Sequence, residues 1–454
     1  MMGMSSYSGM KAIVIGLASS GVAAARLLRG KGAIVDVTDS KPRELLEERI
    51  VSLPERTGLY LGGHVGVSLD QYSLAVISPG VPWDSPFAKT VRDAGIEMIS
   101  EIELASRHIS APIIAVTGSN GKSTTTTLIG RILEKQGKEV FIGGNLGNPL
   151  SNAADHNYDW VVAEVSSFQL EGIKTFRPRI SVITNITADH LDRHGNIENY
   201  ARLKARVFEN QSDGDTVIIN DNDSGTTFLR QKSSVRTLRF GSKLNKEQGG
   251  AWVEDEAEYG AIPGGGSIKI FELKDLLIKG PHNVENTLAA TLVGLAAGAG
   301  PEVIAEAICS FRGLPHRMEL VGEVNGVKFY NDSKGTNVDA TLKSLAGFDG
   351  DVALIAGGSS KGGDFGPLAE EITKRAKGVA LIGETAPQIE KALGDYSPKV
   401  TVKTMEGAVA AAASWLSSGD SVLLSPACAS FDMYKNFEDR GDTFRRAVAA
   451  LEKR

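Results

Sequence analysis

Short apolar runs alternate with helical patterns along the whole chain. In the first hundred residues the runs at 11–16, 33–39 and 74–80 close on Gly16, Asp39 and a Pro-Gly turn, and a helical pattern follows the first run over 22–29. Short apolar runs bounded by turn residues are typical of buried strands. The strand-helix-strand order therefore predicts a parallel, Rossmann-like sheet.

Two further blocks repeat this rhythm. The second begins near Glu101, and its predicted elements are a strand, glycine loop and helix over 111–133, strands at 160–166, 180–186 and 216–221, an irregular insertion or hairpin over 241–267, and a helix over 283–299. The third begins near Leu314, with strands predicted at 352–358, 378–383, 399–403 and 421–426. We predict an α/β protein of three domains, with boundaries at 1–100, 101–313 and 314–454.

Composition excludes several classes of function. The net charge is −6 and aromatic residues make up 6% of the chain, which does not favour a nucleic-acid or anionic-membrane binder. The chain offers no unbroken apolar segment of about 18 residues, so we expect no membrane span. Its two cysteines lack the spacing of a zinc site and suit a reducing cytosol. We therefore expect a cytoplasmic protein.

The strongest chemical signal is the sequence GSNGKST over 118–124, which follows a strand and opens a helix. Consecutive backbone N–H groups in such a loop bind phosphate oxygens. Lys122 would neutralise the β- and γ-phosphates, and Ser123 or Thr124 would bind Mg²⁺. The first glycine comes two residues later than in the common phosphate-loop spacing. The alternative is a tight turn before a helix.

Polar residues follow the neighbouring strands of the second block. Glu164 ends one strand and His190 follows the next, which suits metal binding around a nucleotide, although a lone buried Glu or His is often structural. Lys204 has the pattern of a solvated or salt-bridged residue on an amphipathic helix. Asn283 and Asn286 could equally be helix N-caps.

Weaker signals lie in the first and third blocks. The segment GLASSG over 16–21 could bind a pyrophosphate or form a purely structural turn, and Ala18 stands where a dinucleotide fingerprint needs glycine. Arg317 and Asp332 could reach a nucleotide or form an inter-domain salt bridge. The loops 356–365 and 425–437 place hydroxyls and a lysine at strand ends, or are simple turns.

The order of these motifs resembles the Mur ligase family from end to end. The motifs are GSNGKST, AEVSSFQLE, TNITADHLDRHG, GPHNVEN, LPHRMEL, NDSKGTN, GGSSKGGDF and SPACASFDMYKNFEDRGDTF. The resemblance implies a Rossmann-like N-terminal domain, a central ATPase-like domain with a phosphate loop, and a Rossmann-like C-terminal domain. The last motif is similar to that of the D-glutamate-adding branch, and the DNPR signature of the diaminopimelate-adding branch is absent.

The resemblance also implies an activity. It implies that ATP and two Mg²⁺ ions drive ligation of D-glutamate to UDP-N-acetylmuramoyl-L-alanine through an acyl phosphate, in peptidoglycan precursor synthesis. Phosphorylation supplies the leaving group that a carboxylate lacks. A monomeric enzyme without nucleic-acid or membrane partners is expected.

Site residues follow from the resemblance by position. The catalytic residues would be Lys122, His190 and Lys204. The ATP site would comprise Gly118, Ser119, Asn120, Gly121, Lys122, Ser123, Thr124, Asn286, Arg317 and Asp332. The metal ligands would be Ser123, Glu164, His190 and Lys204, with Lys204 carried as an N-carbamate. The UDP-substrate site would comprise Ser19, Ser20, Asp39, Ser40, Asn145 and Ser166, and the D-glutamate site Thr336, Lys361, Ser430 and Phe437.

Three other functions remain as alternatives. One is an amide ligase of the same superfamily that acts on a folate or another peptide. Another is a nucleotide-gated regulatory module, which would not need metal ligands at several strand ends. The third is a nicotinamide-dependent oxidoreductase, which only GLASSG suggests and which the missing glycine weakens.

Overall fold

The structure is a computed structural model that describes residues 7–187, 191–229, 235–241, 249–278, 280–348, 350–359 and 364–452. The chain divides into two compact units, Met1–Phe311 and Arg312–Arg454. Among the described residues, no helix is long and apolar enough to cross a membrane. The first unit contains two sheets and the second unit contains one.

The first sheet has five parallel strands in the order β3-β2-β1-β4-β5. The strands are β1 (Lys11–Ile15), β2 (Ile34–Asp39), β3 (Gly58–Leu61), β4 (Leu74–Ile77) and β5 (Glu97–Ser100). The helices of this region are α1 (Ser19–Gly30), α2 (Glu47–Ile50), α3 (Pro86–Asp93) and α4 (Glu101–Ser106). Alternate residues of β1 enter two separate cores, Ala12 and Val14 in one and Ile13 and Ile15 in the other. Burial on both faces explains the continuous apolar run.

The second sheet has nine strands in the order β14-β13-β12-β11-β10-β9-β6-β8-β7. The strands are β6 (Ile113–Thr117), β7 (Val140–Gly144), β8 (Trp160–Glu164), β9 (Ile180–Ile183), β10 (Thr216–Asn220), β11 (Arg236–Phe240), β12 (Gly250–Glu254), β13 (Ala257–Ala261) and β14 (Ile268–Glu272). The helices are α5 (Lys122–Lys135), α6 (Ser167–Leu170), α7 (Leu191–His194), α8 (Ile197–Ala205), α9 (Pro281–Ala296) and α10 (Pro301–Cys309). The pairs β12–β13 and β13–β14 are antiparallel, so the described part of the insertion forms strands that extend the sheet.

The third sheet has six strands in the order β15-β16-β20-β17-β18-β19. The strands are β15 (Glu319–Val324), β16 (Val327–Asn331), β17 (Val352–Ala356), β18 (Ala376–Leu381), β19 (Lys399–Thr401) and β20 (Ser421–Leu424). The helices are α11 (Val338–Leu345), α12 (Gly366–Arg375), α13 (Ala386–Leu393), α14 (Met405–Ser414) and α15 (Phe437–Glu452). Only β15 pairs antiparallel with its neighbour within this sheet.

The predicted α/β class with parallel-rich sheets is confirmed, but several element boundaries were wrong. The helix expected over 22–29 begins at Ser19, and the strand expected over 160–166 ends at Glu164. The polar residues after each apolar run thus lie in the loops at the carboxyl ends of strands, which is where open α/β sheets bind ligands. The predicted domain boundaries stay predictions.

Candidate active site

The segment 118–121 is a tight loop between β6 and α5. Gly118 has φ +146° and Gly121 has φ +81°, a region that disfavours side chains. A Cβ atom on Gly118 would lie 1.9 Å from Thr184 Oγ1, and one on Gly121 would lie 2.2 Å from Asn286 Oδ1. Both glycines are therefore required by conformation and by space.

The loop is held in shape by the segment after β9. Thr184 Oγ1 donates to the Asn120 carbonyl at 2.6 Å, and Asn120 N–H donates to Asn185 Oδ1 at 2.9 Å. Ser119 N–H donates to the Asn185 carbonyl at 2.9 Å, and Ser119 Oγ donates to the Thr187 carbonyl at 3.0 Å. These bonds fix the loop backbone before any ligand binds.

The start of α5 concentrates positive potential at this loop. No side chain caps the helix and its first turn carries no acidic residue. The Lys122 ammonium donates to the carbonyls of Gly118 (2.9 Å) and Ser119 (2.8 Å), and so lies against the loop. Thr124 follows Ser123 in the same first turn. Backbone N–H groups, the helix dipole and one ammonium together suit a phosphate group.

Glu164 supplies the acidic group beside the loop. It ends β8 in register with Val116 of β6, and its residue is only 3% exposed. Its Oε1 accepts from Asn145 Nδ2 at 2.7 Å, whereas its Oε2 has no hydrogen-bond partner. A buried carboxylate oxygen without a donor requires an explanation, and a cation supplies one.

The residues around Glu164 fit a divalent cation that is shared with phosphate. Ser123 lies in the first turn of α5 and is 7% exposed. In the described part of the chain, no group of three or more His, Cys, Asp or Glu side chains could hold a metal by itself. His190 lies outside the described residues. Mg²⁺ commonly takes one or two carboxylates and completes its shell with substrate phosphate and water, so this set fits.

Lys204 lies on α8 and contradicts the solvated interpretation of its local sequence. Only 1% of the residue is exposed, and Nζ donates to the Gly118 carbonyl at 2.7 Å. The same Nζ lies 4.5 Å from the centre of the Tyr200 ring. Lys204 and Lys122 thus share one carbonyl acceptor at the start of the phosphate loop.

Asn286 lies inside α9 at the wall of the loop. The helix begins at Pro281 after the N-cap Gly280, so the interpretation of Asn283 and Asn286 as N-caps was wrong. Asn286 Oδ1 accepts from Thr125 Oγ1 at 3.2 Å, which ties α9 to α5.

The residues expected to bind the UDP-substrate lie at the carboxyl ends of strands in both sheets of the first unit. Ser19 and Ser20 begin α1, which carries no side-chain cap. Asp39 ends β2, and its Oδ2 accepts from Leu17 N–H at 2.7 Å, while Ser40 is exposed beside it. Asp39 therefore fixes the glycine turn after β1.

Asn145 and Ser166 follow the neighbouring strands β7 and β8. Asn145 contacts Glu164, as described above. Ser166 is the N-cap of α6, and its backbone N–H and that of Gln169 form a reciprocal capping box with the two side chains. The structure thus assigns Ser166 a clear structural role.

The remaining ATP residues lie in the second unit. Asp332 follows β16 and is 4% exposed, and its Oδ2 accepts from Ser344 Oγ and Ser425 Oγ, both at 2.7 Å. Burial raises the pKa of its carboxyl. Arg317 is exposed between His316 (φ 61°) and Met318 (φ 47°). Because Arg317 and Asp332 belong to one unit, the idea that they pair across domains was wrong.

The described D-glutamate candidates lie on loops and a helix end of the second unit. Thr336 follows β16, Ser430 is 2% exposed in the loop after β20, and Phe437 begins α15. The Phe437 carbonyl accepts from Ser333 Oγ at 2.8 Å, which joins α15 to the loop after β16. Lys361 lies outside the described residues.

Sequence analysis missed Arg440, the largest fully buried side chain. Its guanidinium donates to Ser333 Oγ (3.0 Å) and to the carbonyls of Ser333 (2.9 Å), Cys428 (3.1 Å) and Ala429 (3.0 Å). Burial lowers its pKa to about 10. Arg440 thereby holds the loop before Ser430. The sequence EDRGD offered no signal, since mixed charges are typical of a solvated helix face.

The sequence matches three family profiles that together span most of the chain. They are "Mur ligase MurD-like, N-terminal domain" over residues 10–100, "Mur ligase middle domain" over 116–294, and "Mur ligase, glutamate ligase domain" over 316–428.

Curated relatives match over nearly their whole length. Each is named UDP-N-acetylmuramoylalanine–D-glutamate ligase. The protein of Thermoanaerobacter pseudethanolicus is 42% identical over 98% of this chain and 99% of its own. That of Syntrophotalea carbinolica is 41% identical over 99% of both chains, and that of Koribacter versatilis is 43% identical over 98% of both.

Solved structures share the fold at low sequence identity. MurF from Acinetobacter baumannii has a TM-score of 0.58 at 16% identity, covering 97% of this chain and 93% of its own. UDP-N-acetylmuramate–alanine ligase MurC from Thermotoga maritima has a TM-score of 0.55 at 19% identity, covering 97% of this chain and 99% of its own.

Proposed function

The chain belongs to the Mur ligase family, and we propose that it joins D-glutamate to UDP-N-acetylmuramoyl-L-alanine at the expense of ATP, in the synthesis of peptidoglycan precursors. The curated relatives that carry this activity in their names are 41–43% identical from end to end. The observation that carries the proposal is the phosphate loop with Lys122 on it and the unpartnered Glu164 Oε2 beside it. A nicotinamide-dependent enzyme has no need of this arrangement.

The reaction would proceed in two steps. The carboxylate of UDP-N-acetylmuramoyl-L-alanine attacks the γ-phosphorus of ATP, so a C–O–P linkage forms and ADP leaves. The unprotonated amine of D-glutamate then attacks the acyl carbon, the C–O bond to phosphate breaks, and the nitrogen gives up a proton. Phosphorylation is necessary because an amine merely exchanges a proton with a free carboxylic acid.

Residues of the phosphate loop would bind and orient the nucleotide. The backbone N–H groups of Gly118, Ser119, Asn120, Gly121, Lys122, Ser123 and Thr124 can surround the phosphates, and Lys122 can neutralise the charge that moves during transfer. Asn286 would position the nucleotide from α9, and Arg317 and Asp332 would contribute from the second unit.

Ser123 and Glu164 would hold one Mg²⁺, and His190 and a carbamate on Lys204 would hold the second. When bound, these ions shield the phosphate oxygens from the incoming carboxylate. Ser123 and Glu164 are supported by their burial and by the free oxygen of Glu164. His190 rests on the resemblance alone.

The two other substrates would occupy strand-end loops. Ser19, Ser20, Asp39 and Ser40 would bind the uridine and diphosphate, with Asn145 and Ser166 nearer the muramoyl end. D-Glutamate would bind Thr336, Lys361, Ser430 and Phe437. We further propose functional domains at 1–100, 101–313 and 314–454, and a monomer that works in the cytoplasm, where UDP-linked substrates and ATP are made.

Phosphate release should depend on the amino acid and on its chirality. With ATP, Mg²⁺ and UDP-N-acetylmuramoyl-L-alanine present, we expect rapid phosphate release with D-glutamate and little with L-glutamate or with no amino acid. A malachite-green assay measures this, and mass spectrometry identifies the product. Equal rates with L-glutamate, or activity only with a folate acceptor, would assign the chain to another amide ligase.

Replacing Lys361 with alanine should act mainly on D-glutamate. We expect a loss of roughly 2–4 kcal/mol in kcat/KM for D-glutamate, because one substrate carboxylate loses its cation. The KM values for ATP and the UDP-substrate should change far less. Steady-state kinetics with each substrate varied in turn tests this, with Lys391→Ala on α13 as a control lysine. A rise confined to the KM for ATP would instead place Lys361 at the nucleotide.

A further inference from the structure

A buried carboxylate links the antiparallel end of the central sheet to α9. Glu258 lies on β13 and is 0% exposed. Its Oε2 lies 2.7 Å from Thr287 Oγ1, and its Oε1 contacts Thr291 Oγ1. The two threonines are one helical turn apart on α9 and therefore present the same face. The helix packs closely here, since a Cβ atom on Gly260 would lie 2.7 Å from Leu295 Cδ1.

Counting hydrogens at this contact shows where a proton must lie. Thr287 Oγ1 is 2.7 Å from Glu258 Oε2 and also 2.7 Å from the Val284 carbonyl. A hydroxyl has one hydrogen and cannot donate to both acceptors. If Thr287 donates to Val284, the contact with Oε2 is a hydrogen bond only when Glu258 carries a proton and donates it to Thr287. Thr291 then donates to Oε1, and every group has its partner.

The electrostatic surroundings favour the neutral acid. Burial raises the pKa of Glu258 to about 7, against 4.5 for an exposed glutamate, and the two threonine hydroxyls only partly oppose this. The described titratable groups within electrostatic reach are Cys309 of α10 and, beyond it, Asp275, which both act on the Cys309 thiol together with Glu258. Neither supplies the cation that an ionised buried carboxylate needs.

The helix that Glu258 holds is the wall of the phosphate loop. Thr287 directly follows Asn286, and Asn286 Oδ1 both accepts from Thr125 of α5 and approaches the Cα of Gly121 closely. A shift of α9 away from β13 would therefore displace Asn286 from the loop.

We infer that Glu258 is held as a neutral carboxylic acid that donates to Thr287 and accepts from Thr291, and that it thereby acts as a positioning residue for Asn286 in nucleotide binding. The protonation state is independent of what the enzyme catalyses. The effect on nucleotide rests on the function proposed above.

The proton is tested first, without any assay of activity. The infrared difference spectrum between the wild type and Glu258→Gln at pH 6 should contain the carbonyl stretch of a protonated carboxyl. Glu254→Gln, which changes an exposed carboxylate in the same hairpin, should lack it. A carboxylate band in place of the acid band at pH 6 would overturn the inference.

Stability provides the second readout. Because the folded pKa of Glu258 is raised, its contribution to stability is complete below the unfolded pKa of 4.5 and is lost as pH rises to about 7. Over that window the folding equilibrium constant of the wild type should fall relative to Glu258→Gln by up to about tenfold per pH unit. Parallel curves for the two proteins in urea titrations would also overturn the inference.

Nucleotide binding tests the positioning role. At pH 6 we expect Glu258→Gln to keep the KM for ATP within about twofold, because an amide can donate to Thr287 and accept from Thr291. Thr287→Val, which keeps the shape of the side chain, should raise the KM for ATP several-fold and change kcat less. At pH 8.5 the KM for ATP should rise in the wild type and not in Glu258→Gln.

The outcomes separate the two proposals. If Thr287→Val leaves ATP binding unchanged in calorimetry, the positioning role is wrong, whatever the reaction is. If the infrared and stability results hold while ATP does not bind to the wild type, the proposed function is at fault and the neutral Glu258 stands.

Discussion

Replacing Lys122 with alanine is expected to abolish ligation. The ammonium lies against the phosphate loop through the carbonyls of Gly118 and Ser119, and no other residue of the first turn of α5 is charged. Its removal takes a fixed cation away from the phosphoryl group during transfer. We expect kcat to fall by roughly 10²-fold or more at saturating ATP, since the interaction strengthens in the transition state.

Single-turnover formation of ADP measures this loss, and Lys135→Ala is the matched control. Lys135 ends the same helix and pairs with Glu306 on the surface, so its removal should leave kcat unchanged. Near wild-type turnover of Lys122→Ala would refute the assignment of the phosphate loop. Equal losses in both variants would indicate damage to α5.

Replacing Lys204 with alanine is expected to leave almost no activity, with partial recovery when formate or acetate is added. Lys204 is buried and shares the Gly118 carbonyl with Lys122, so two ammonium groups would face each other across one acceptor. Carbamylation converts one of these cations into an anion, keeps an N–H that can donate to Gly118, and supplies a metal-binding carboxylate. A small acid that diffuses into the space left by Lys204→Ala can replace that carboxylate.

Carbon-13 NMR of the wild type with labelled bicarbonate should show a carbamate resonance that is absent from Lys204→Ala. Arg202→Ala, on the exposed side of the same helix, should keep both the resonance and the activity. Full activity of Lys204→Ala without added acid would refute the role. A failure of every small acid to restore activity would leave the carbamate without support.

Several features of the site were accessible from sequence because they are local. GSNGKST predicted a strand, a loop and a helix, and the loop indeed requires Gly118 and Gly121 at positive φ. Local backbone geometry depends on neighbouring residues, so it can be read from a short segment. The buried strands were found for the same reason, since continuous apolar runs of that length are typical of a parallel sheet.

Other features depend on partners far away in the chain. Lys204 has the pattern of an exposed helical lysine and lies 86 residues from the glycine whose carbonyl it contacts. Arg440 belongs to a charged segment and is buried against a loop that begins 107 residues earlier. No periodicity reports such a contact, because helical periodicity describes one face of an element and not what covers it.

The sequence by itself determined the alternation of strands and helices, the phosphate loop and the order of the strand-end motifs. Only the tertiary structure decided that Glu164 has a carboxylate oxygen without a donor, that Lys204 lies beside Lys122, and that Glu258 needs a proton. The physical reason is that burial sets the energy of a polar or charged group. Burial arises where distant segments pack together, and the same residue in the same local sequence can be solvated or enclosed.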